Sequence, residues 1–375
     1  MGKLLIDSKA ALKVRRSSSK YTQGKCYYTL SFWLDLMVRP KILVSIPVSL
    51  LRSLSVPSDE AELFSFADVV KNVNDVQFTI SELQEAAADV DGMITSWGSP
   101  KITPEVLERA KKLKIIGHAA GSVKPYVCDE AFERGVVVVS AAPEIARSVA
   151  EYALCQMINS LRDIPDYIGS MKSVGAEQQA KRERLEKSKD LAGKKVGLIG
   201  SGSVARRLIR LLKPFDVEIR IYDPYLSEDD AMSLGIIKTS LNDVLSESDI
   251  ISLHAASTAE THHMMGEKEL GLVRDGTILI NSARGALIDE GALISELRKG
   301  RFRAVLDTAG EETGGIPANS ELRRLENVYL TPGLAGPSGE RQRMLFSSIV
   351  GDFRLFFSGK EPRNQVNAEA LRRLA

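Results

Sequence analysis

The sequence predicts an α/β protein built on two doubly wound parallel sheets, and three observations carry that expectation. At 375 residues the chain is longer than one typical domain. From Lys41 onward, short apolar and β-branched runs alternate with segments of helical periodicity, as expected for strands covered on both faces by helices. Between Lys195 and Asp223, a strand, a glycine turn, a helix and a second strand ending in an acid follow without interruption.

The elements can be justified in order. Residues 42–46 and 91–95 read as strands. Thr103-Pro104-Glu105 offers an N-cap, a first-turn proline and an early acid, opening a helix that ends near Lys112. A short strand follows at 113–117, a short helix at 128–134, and a β-branched strand at 136–139 of the kind buried in parallel sheets. A long helix over 144–161 is apolar on most faces, and the charged stretch 177–189 reads as a solvated linker. Further strands are expected at 196–199, 217–221, 250–253, 277–280, 304–306 and 328–330. After Pro337 an amphipathic helix (Met344, Leu345, Ile349, Phe353, Phe356, Phe357) is expected to return to the first sheet and complete it.

Residues 1–36 differ from the rest. Seven lysines and arginines face only Asp7 and Asp35 there, and Ser17-Ser18-Ser19 is low in information. The stretch is expected to lack fixed structure, either as a targeting leader or as an extension upstream of a start at Met37; the second reading is favoured.

The glycine turn carries the first chemistry. Gly200 permits a tight turn, Gly202 lets the backbone approach a pyrophosphate at the positive end of the helix, and Ala205 is small enough for close packing. Ser201, Ser203 and Val204 complete the turn. Asp223 lies near the expected offset of about 20 residues, where a carboxylate accepts from an adenosine ribose and repels a 2′-phosphate. NAD is therefore expected in preference to NADP. An ordinary glycine turn is the competing reading, and the strand before, the helix after and the acid at the right offset weigh against it.

Ligands of open parallel sheets bind beyond the carboxyl ends of the strands. Three consecutive strand ends deliver Asn281-Ser282-Ala283-Arg284-Gly285, then Asp307 with Glu311 and Glu312, then Thr331-Pro332-Gly333. With Ser148-Val149-Ala150-Glu151 and Asp223-Pro224-Tyr225, these motifs make the chain resemble the D-isomer-specific 2-hydroxyacid dehydrogenase family from about Met37 to the C-terminus. The resemblance implies a Rossmann NAD domain (147–339) inserted into a discontinuous flavodoxin-like substrate domain (37–146 and 340–375), usually in a homodimer. It implies that Arg284 binds the substrate carboxylate, that Asp307 contacts the nicotinamide amide and that Glu312 orients a catalytic histidine. His254, Ser282 and Ala283 are expected beside the cofactor. The implied substrate is a small 2-hydroxy or 2-keto acid.

The expected histidine directly after Thr331-Pro332 is Gly333 in this chain. Losing a positioned acid–base group typically costs about 10²–10⁴-fold in rate. Smaller departures accompany it: no proline follows His254, Thr313 stands where proline is usual, and Lys124 replaces a commoner acid. Of the four histidines, His118 is the best-placed substitute, although a core histidine at a strand end is the plainer reading. Glu312 acting through a water is another. The expectation is an NAD-dependent oxidoreductase with a weakened or rerouted acid–base step. Its rivals are a non-catalytic NAD(H)-binding regulatory protein of the same descent and a Rossmann enzyme of different chemistry.

Bulk properties exclude other classes. A net charge of +1 with no basic stripe gives no footprint for nucleic acid or an anionic membrane. No apolar run reaches the roughly 20 residues that a membrane helix needs. The three cysteines are scattered without metal-ligand spacing, which suits free thiols in a cytoplasmic, reducing setting, and no metal is expected.

Overall fold

Two sheets organise the chain in this computed structural model, which describes residues 39–172, 186–310 and 316–373. The first sheet contains β1 (Lys41–Val44), β2 (Asp68–Lys71), β3 (Gly92–Thr95), β4 (Ile115–His118), β5 (Val137–Ser140) and β13 (Gln365–Val366), in the order β13-β5-β4-β3-β1-β2. Its strands are parallel except β13, which runs antiparallel to β5. The 2-1-3-4-5 order of its first five strands is that of flavodoxin-like folds. The second sheet contains β6 (Lys195–Ile199), β7 (Glu218–Tyr222), β8 (Ile237–Lys238), β9 (Ile250–Leu253), β10 (Ile278–Asn281), β11 (Arg303–Leu306) and β12 (Val328–Leu330). All its pairings are parallel, in the order β12-β11-β10-β9-β6-β7-β8. The winding reverses between β6 and β9, so the carboxyl end of β6 opens on a crevice between two diverging loops. The α/β class expected from the sequence is the observed one.

The strands form because they are apolar on both faces. Every residue of β3, β4, β9 and β10 is buried, as in a sheet covered on both sides by helices. Helix Met344–Phe357 returns to the first sheet, burying Leu345, Phe346, Ile349, Val350 and Phe353. Each such side chain contributes roughly 1.5–3 kcal/mol by leaving water. Gly117 in β4 permits the approach, because a Cβ there would lie 2.4 Å from Ile349 Cγ2.

Several elements differ from the sequence reading. Pro143 occupies the first turn of helix Ala142–Leu161, so that helix starts before residue 144. The apolar spacing from Val204 to Phe215 predicts one helix after the glycine turn, whereas the helix is Ser203–Leu212, followed by a tighter 3-10 turn, Lys213–Phe215, at Pro214. Strand β2 and helices Val48–Leu54, Pro57–Phe66 and Ile80–Ala86 were not expected. β2 is an edge strand, largely exposed, so it lacks the apolar run that marks its neighbours. Residues 1–36 and most of the charged linker, 177–185, lie outside the described residues.

Candidate active site

The glycine turn is held between its neighbours. The Gly200 N–H donates to Tyr222 O at 2.8 Å, and His254 N–H donates to Ile199 O at 2.7 Å. Gly200 has φ +98°, and a Cβ there would lie 2.6 Å from Ala255 N. Helix Ser203–Leu212 starts at Gly202 with no side-chain cap and no acid in its first turn, and a Cβ on Gly202 would meet nothing within 4 Å. The first amides, including those of Ser203 and Val204, therefore present an open, uncapped positive helix end suited to a pyrophosphate.

Asp223 is more committed than expected. Its Oδ2 accepts from both Ser201 N–H and Ser201 Oγ at 2.7 Å, and its Oδ1 accepts from Tyr225 N–H at 2.8 Å. A carboxylate has about four acceptor sites, so capacity remains for a ribose hydroxyl. Nearby, His254 Nε2 and Ser282 Oγ are buried with no hydrogen-bond partner, and Ala283 is half-buried beside Ser282. Burial pushes the His254 imidazole down to about pH 4, so it is neutral at physiological pH. Unpartnered buried polar atoms at adjacent strand ends are what a bound cofactor would satisfy.

Arg284 follows β10 on a turn shaped by Asn281, which is only 1% exposed. The Asn281 amide donates to Arg284 O at 2.9 Å and accepts from Ala283 N–H at 3.1 Å. Gly285 lets this turn press on the one after β11, since a Cβ would lie 2.1 Å from Gly310 O. The Arg284 guanidinium donates to Ala283 O at 2.7 Å and has no acidic partner among the described residues. Surrounding protein lowers its pKa below the ordinary arginine value although solvent still reaches the side chain. A solvent-exposed arginine without a counter-ion among the described residues is open to bidentate capture of a carboxylate.

Asp307 lies at the end of β11 and is nearly buried. It accepts from Thr331 Oγ at 2.5 Å, Leu334 N–H at 2.7 Å and Ala335 N–H at 2.9 Å. Tyr152 Oη lies 2.5 Å from Thr331 Oγ. Because Thr331 spends its proton on Asp307, the phenol is the donor, and burial keeps it protonated by raising its pKa to about 12. Sequence reasoning missed Tyr152, and it named Thr331 and Asn281 only as parts of strand-end motifs, without the hydrogen bonds they make. Asp307, expected only as a nicotinamide contact, also closes the turn 331–336. Gly333 is on that turn with φ +75°, and a Cβ there would point into open space.

His118 is fully buried at the end of β4. Its Nδ1 is 2.9 Å from Thr95 Oγ, its ring lies tilted by 31° against Tyr126 at 4.4 Å between centroids, and Nε2 has no partner among the described residues. Burial brings its pKa down to about 4. These contacts lie within the first sheet and its loops. Glu312, expected to orient an acid–base group, lies outside the described residues. Among the described residues, no cluster of three metal-ligating side chains occurs, and no helix is long and apolar enough to cross a membrane. Cys128 and Cys155 are free thiols.

A parallel sheet with an uncapped glycine turn at its switch point defines a dinucleotide-binding fold of the Rossmann class. Comparison with known proteins makes the class specific. Residues 154–335 match the family described as D-isomer specific 2-hydroxyacid dehydrogenase, NAD binding domain. The chain is 33% identical over 305 residues to D-3-phosphoglycerate dehydrogenase of Methanocaldococcus jannaschii, covering 80% of this chain and 56% of that one. It is 33% identical over 274 residues to hydroxypyruvate reductase of Thermotoga maritima, covering 72% and 85%. A solved protein of Pyrococcus horikoshii superposes with a TM-score of 0.73 at 27% identity, covering 89% of this chain and 97% of that one. The chain belongs to the D-isomer-specific 2-hydroxyacid dehydrogenase family. It spans about half the length of the D-3-phosphoglycerate dehydrogenases that it matches.

Proposed function

We propose that the chain is an NAD-dependent oxidoreductase that interconverts a small 2-keto acid and its 2-hydroxy acid, with a weakened or rerouted proton step. The observation that carries this reading is Arg284, exposed just after the end of β10 and without an acidic partner among the described residues. The open helix end at Gly202 and the orphaned His254 and Ser282 atoms fit the cofactor. When bound, NADH supplies the hydride delivered to C2 of the keto acid. Arg284 holds the substrate carboxylate in its planar fork, and the Asn281 side chain fixes the backbone from which that arginine extends. Asp307 holds the turn 331–336 and keeps spare acceptor capacity for the nicotinamide amide. The C2 oxygen needs a proton, and Gly333 offers none. His118, neutral and sealed in its sheet, is poorly suited to deliver it. The role falls to a water in the space beside Gly333, polarised by Glu312.

The cleft for substrate is proposed between the two sheets, with residues 37–146 and 340–375 on one side and 147–339 on the other, in a homodimer. The relatives' names point to hydroxypyruvate or a phosphorylated three-carbon acid as first substrates to try. The test follows NADH oxidation with a panel of 2-keto acids. Turnover that falls when Arg284 is replaced supports the reading; NADH binding with no turnover on any acid overturns it. That second outcome would favour a non-catalytic NAD(H)-binding protein, a reading supported by Gly333 and by Asp307 serving as a loop clamp.

A further inference from the structure

We propose that Glu260 is a second acidic determinant of cofactor choice, acting beside Asp223 to exclude a dinucleotide with a 2′-phosphate. The inference rests on the reading that the glycine turn binds NAD(H). β6 lies between β9 and β7, so the loops after those two strands flank the glycine turn on opposite sides. Asp223 arrives from the β7 side, tied to Ser201 and to the Tyr225 amide. Glu260 arrives from the β9 side. The Tyr225 hydroxyl donates to Glu260 Oε2 at 3.0 Å and bridges the two loops in front of β6. That bridge holds the Glu260 carboxylate on the ribose edge, where an unrestrained surface glutamate would swing into solvent.

Neither Asp223 nor Glu260 is ion-paired among the described residues. Arg206, the arginine of this edge, donates to Ser201 O at 3.1 Å and lies 3.4 Å from Asp230. A 2′-phosphate would bring close to two further negative charges against both acids, whereas the ribose hydroxyl of NADH brings none. Repulsion from one exposed carboxylate several ångströms away amounts to about a three- to tenfold loss of affinity at low salt, and screening reduces it as salt rises.

Dissociation constants for NADH and NADPH, measured by fluorescence on the full chain, test the idea. Glu260→Gln keeps an acceptor for Tyr225 and removes only the charge. It is expected to lower the ratio of NADPH to NADH dissociation constants by about three- to tenfold at low salt, less at high salt, with the change carried by NADPH. Tyr225→Phe leaves the charge but releases it from the edge, and is expected to lower the ratio by a smaller factor. Combined with Asp223→Asn, the Glu260→Gln effect is expected to add. A ratio unchanged by Glu260→Gln, while Asp223→Asn lowers it, overturns the proposal. So does a salt-independent loss of affinity for both nucleotides alike, which would mark Glu260 as structural. If the native chain binds neither nucleotide, the cofactor reading itself fails and takes the proposal with it.

Discussion

The backbone N–H of Leu334 donates to Asp307 Oδ1 at 2.7 Å, closing the turn that carries Gly333 onto the end of β11. With Ala335 N–H and Thr331 Oγ on the same carboxylate, the residue in the histidine position rides on a clamped, left-handed turn. A side chain introduced at position 333 therefore starts from a backbone conformation that glycine favours.

Gly333→His tests that point. The side chain has room, but φ +75° imposes a penalty of about 1–2 kcal/mol on a residue with a Cβ. The variant is expected to melt a few degrees lower. If the imidazole reaches the substrate, NADH oxidation with a 2-keto acid rises by about 10²-fold. Thermal melting and steady-state kinetics on one preparation check both parts.

Arg284→Ala is expected to raise KM for the keto acid by about 10²-fold, from the loss of charged hydrogen bonds of about 1.5–3 kcal/mol each. Arg284→Lys keeps the charge without the planar fork and should recover only part of the loss. The KM values of the two variants, set beside their NADH dissociation constants, show whether the effect is confined to the substrate.

Asp307→Asn replaces an acceptor-only group with one whose amide faces donors. Three hydrogen bonds to the carboxylate are weakened or reversed, for an expected loss of about 2–4 kcal/mol. Urea unfolding measures the total. Hydrogen exchange at Leu334 and Ala335 is expected to accelerate more than exchange in β6.

Acid should destabilise the protein through its buried histidines. His118 and His254 are both held down to about pH 4 by burial, against an ordinary value of 6.5. Their contribution is fully present above about pH 6.5, where both folded and unfolded chains keep them neutral. It is lost as pH falls toward 4, because the unfolded chain takes up protons that the folded chain refuses. Replacing His118 by Asn should flatten the fall in urea midpoint between pH 6.5 and 4. An unchanged slope would show that His118 is protonated in the folded protein.

Much of the fold was legible because parallel strands buried on both faces must be apolar throughout, as in β9 and β10. Edge strand β2 was not, since exposure removes that constraint. In the candidate site, the glycine turn and the turn after β10 could be singled out because the roles proposed for them, pyrophosphate and carboxylate recognition, would demand particular residues at short spacings. The partners of Asp307 could not. Thr331 is 24 residues from it in the chain, and Tyr152, which bonds Thr331, is 179 residues from that threonine; nothing local marks hydrogen bonds across such distances.

The sequence by itself determined the class of fold and the glycine turn, because each is a local pattern with a local physical cause, and it singled out Arg284 and Gly333 as the positions on which the proposed chemistry turns. The tertiary structure decided what those residues do to one another. It sealed His118 inside a sheet, left Arg284 without an acidic neighbour among the described residues and turned Asp307 into the clamp of the Gly333 turn. It also bridged Tyr225 to Glu260 across the nucleotide crevice. Those outcomes depend on which strand ends meet at one sheet edge, and only the strand order of the folded sheets sets that.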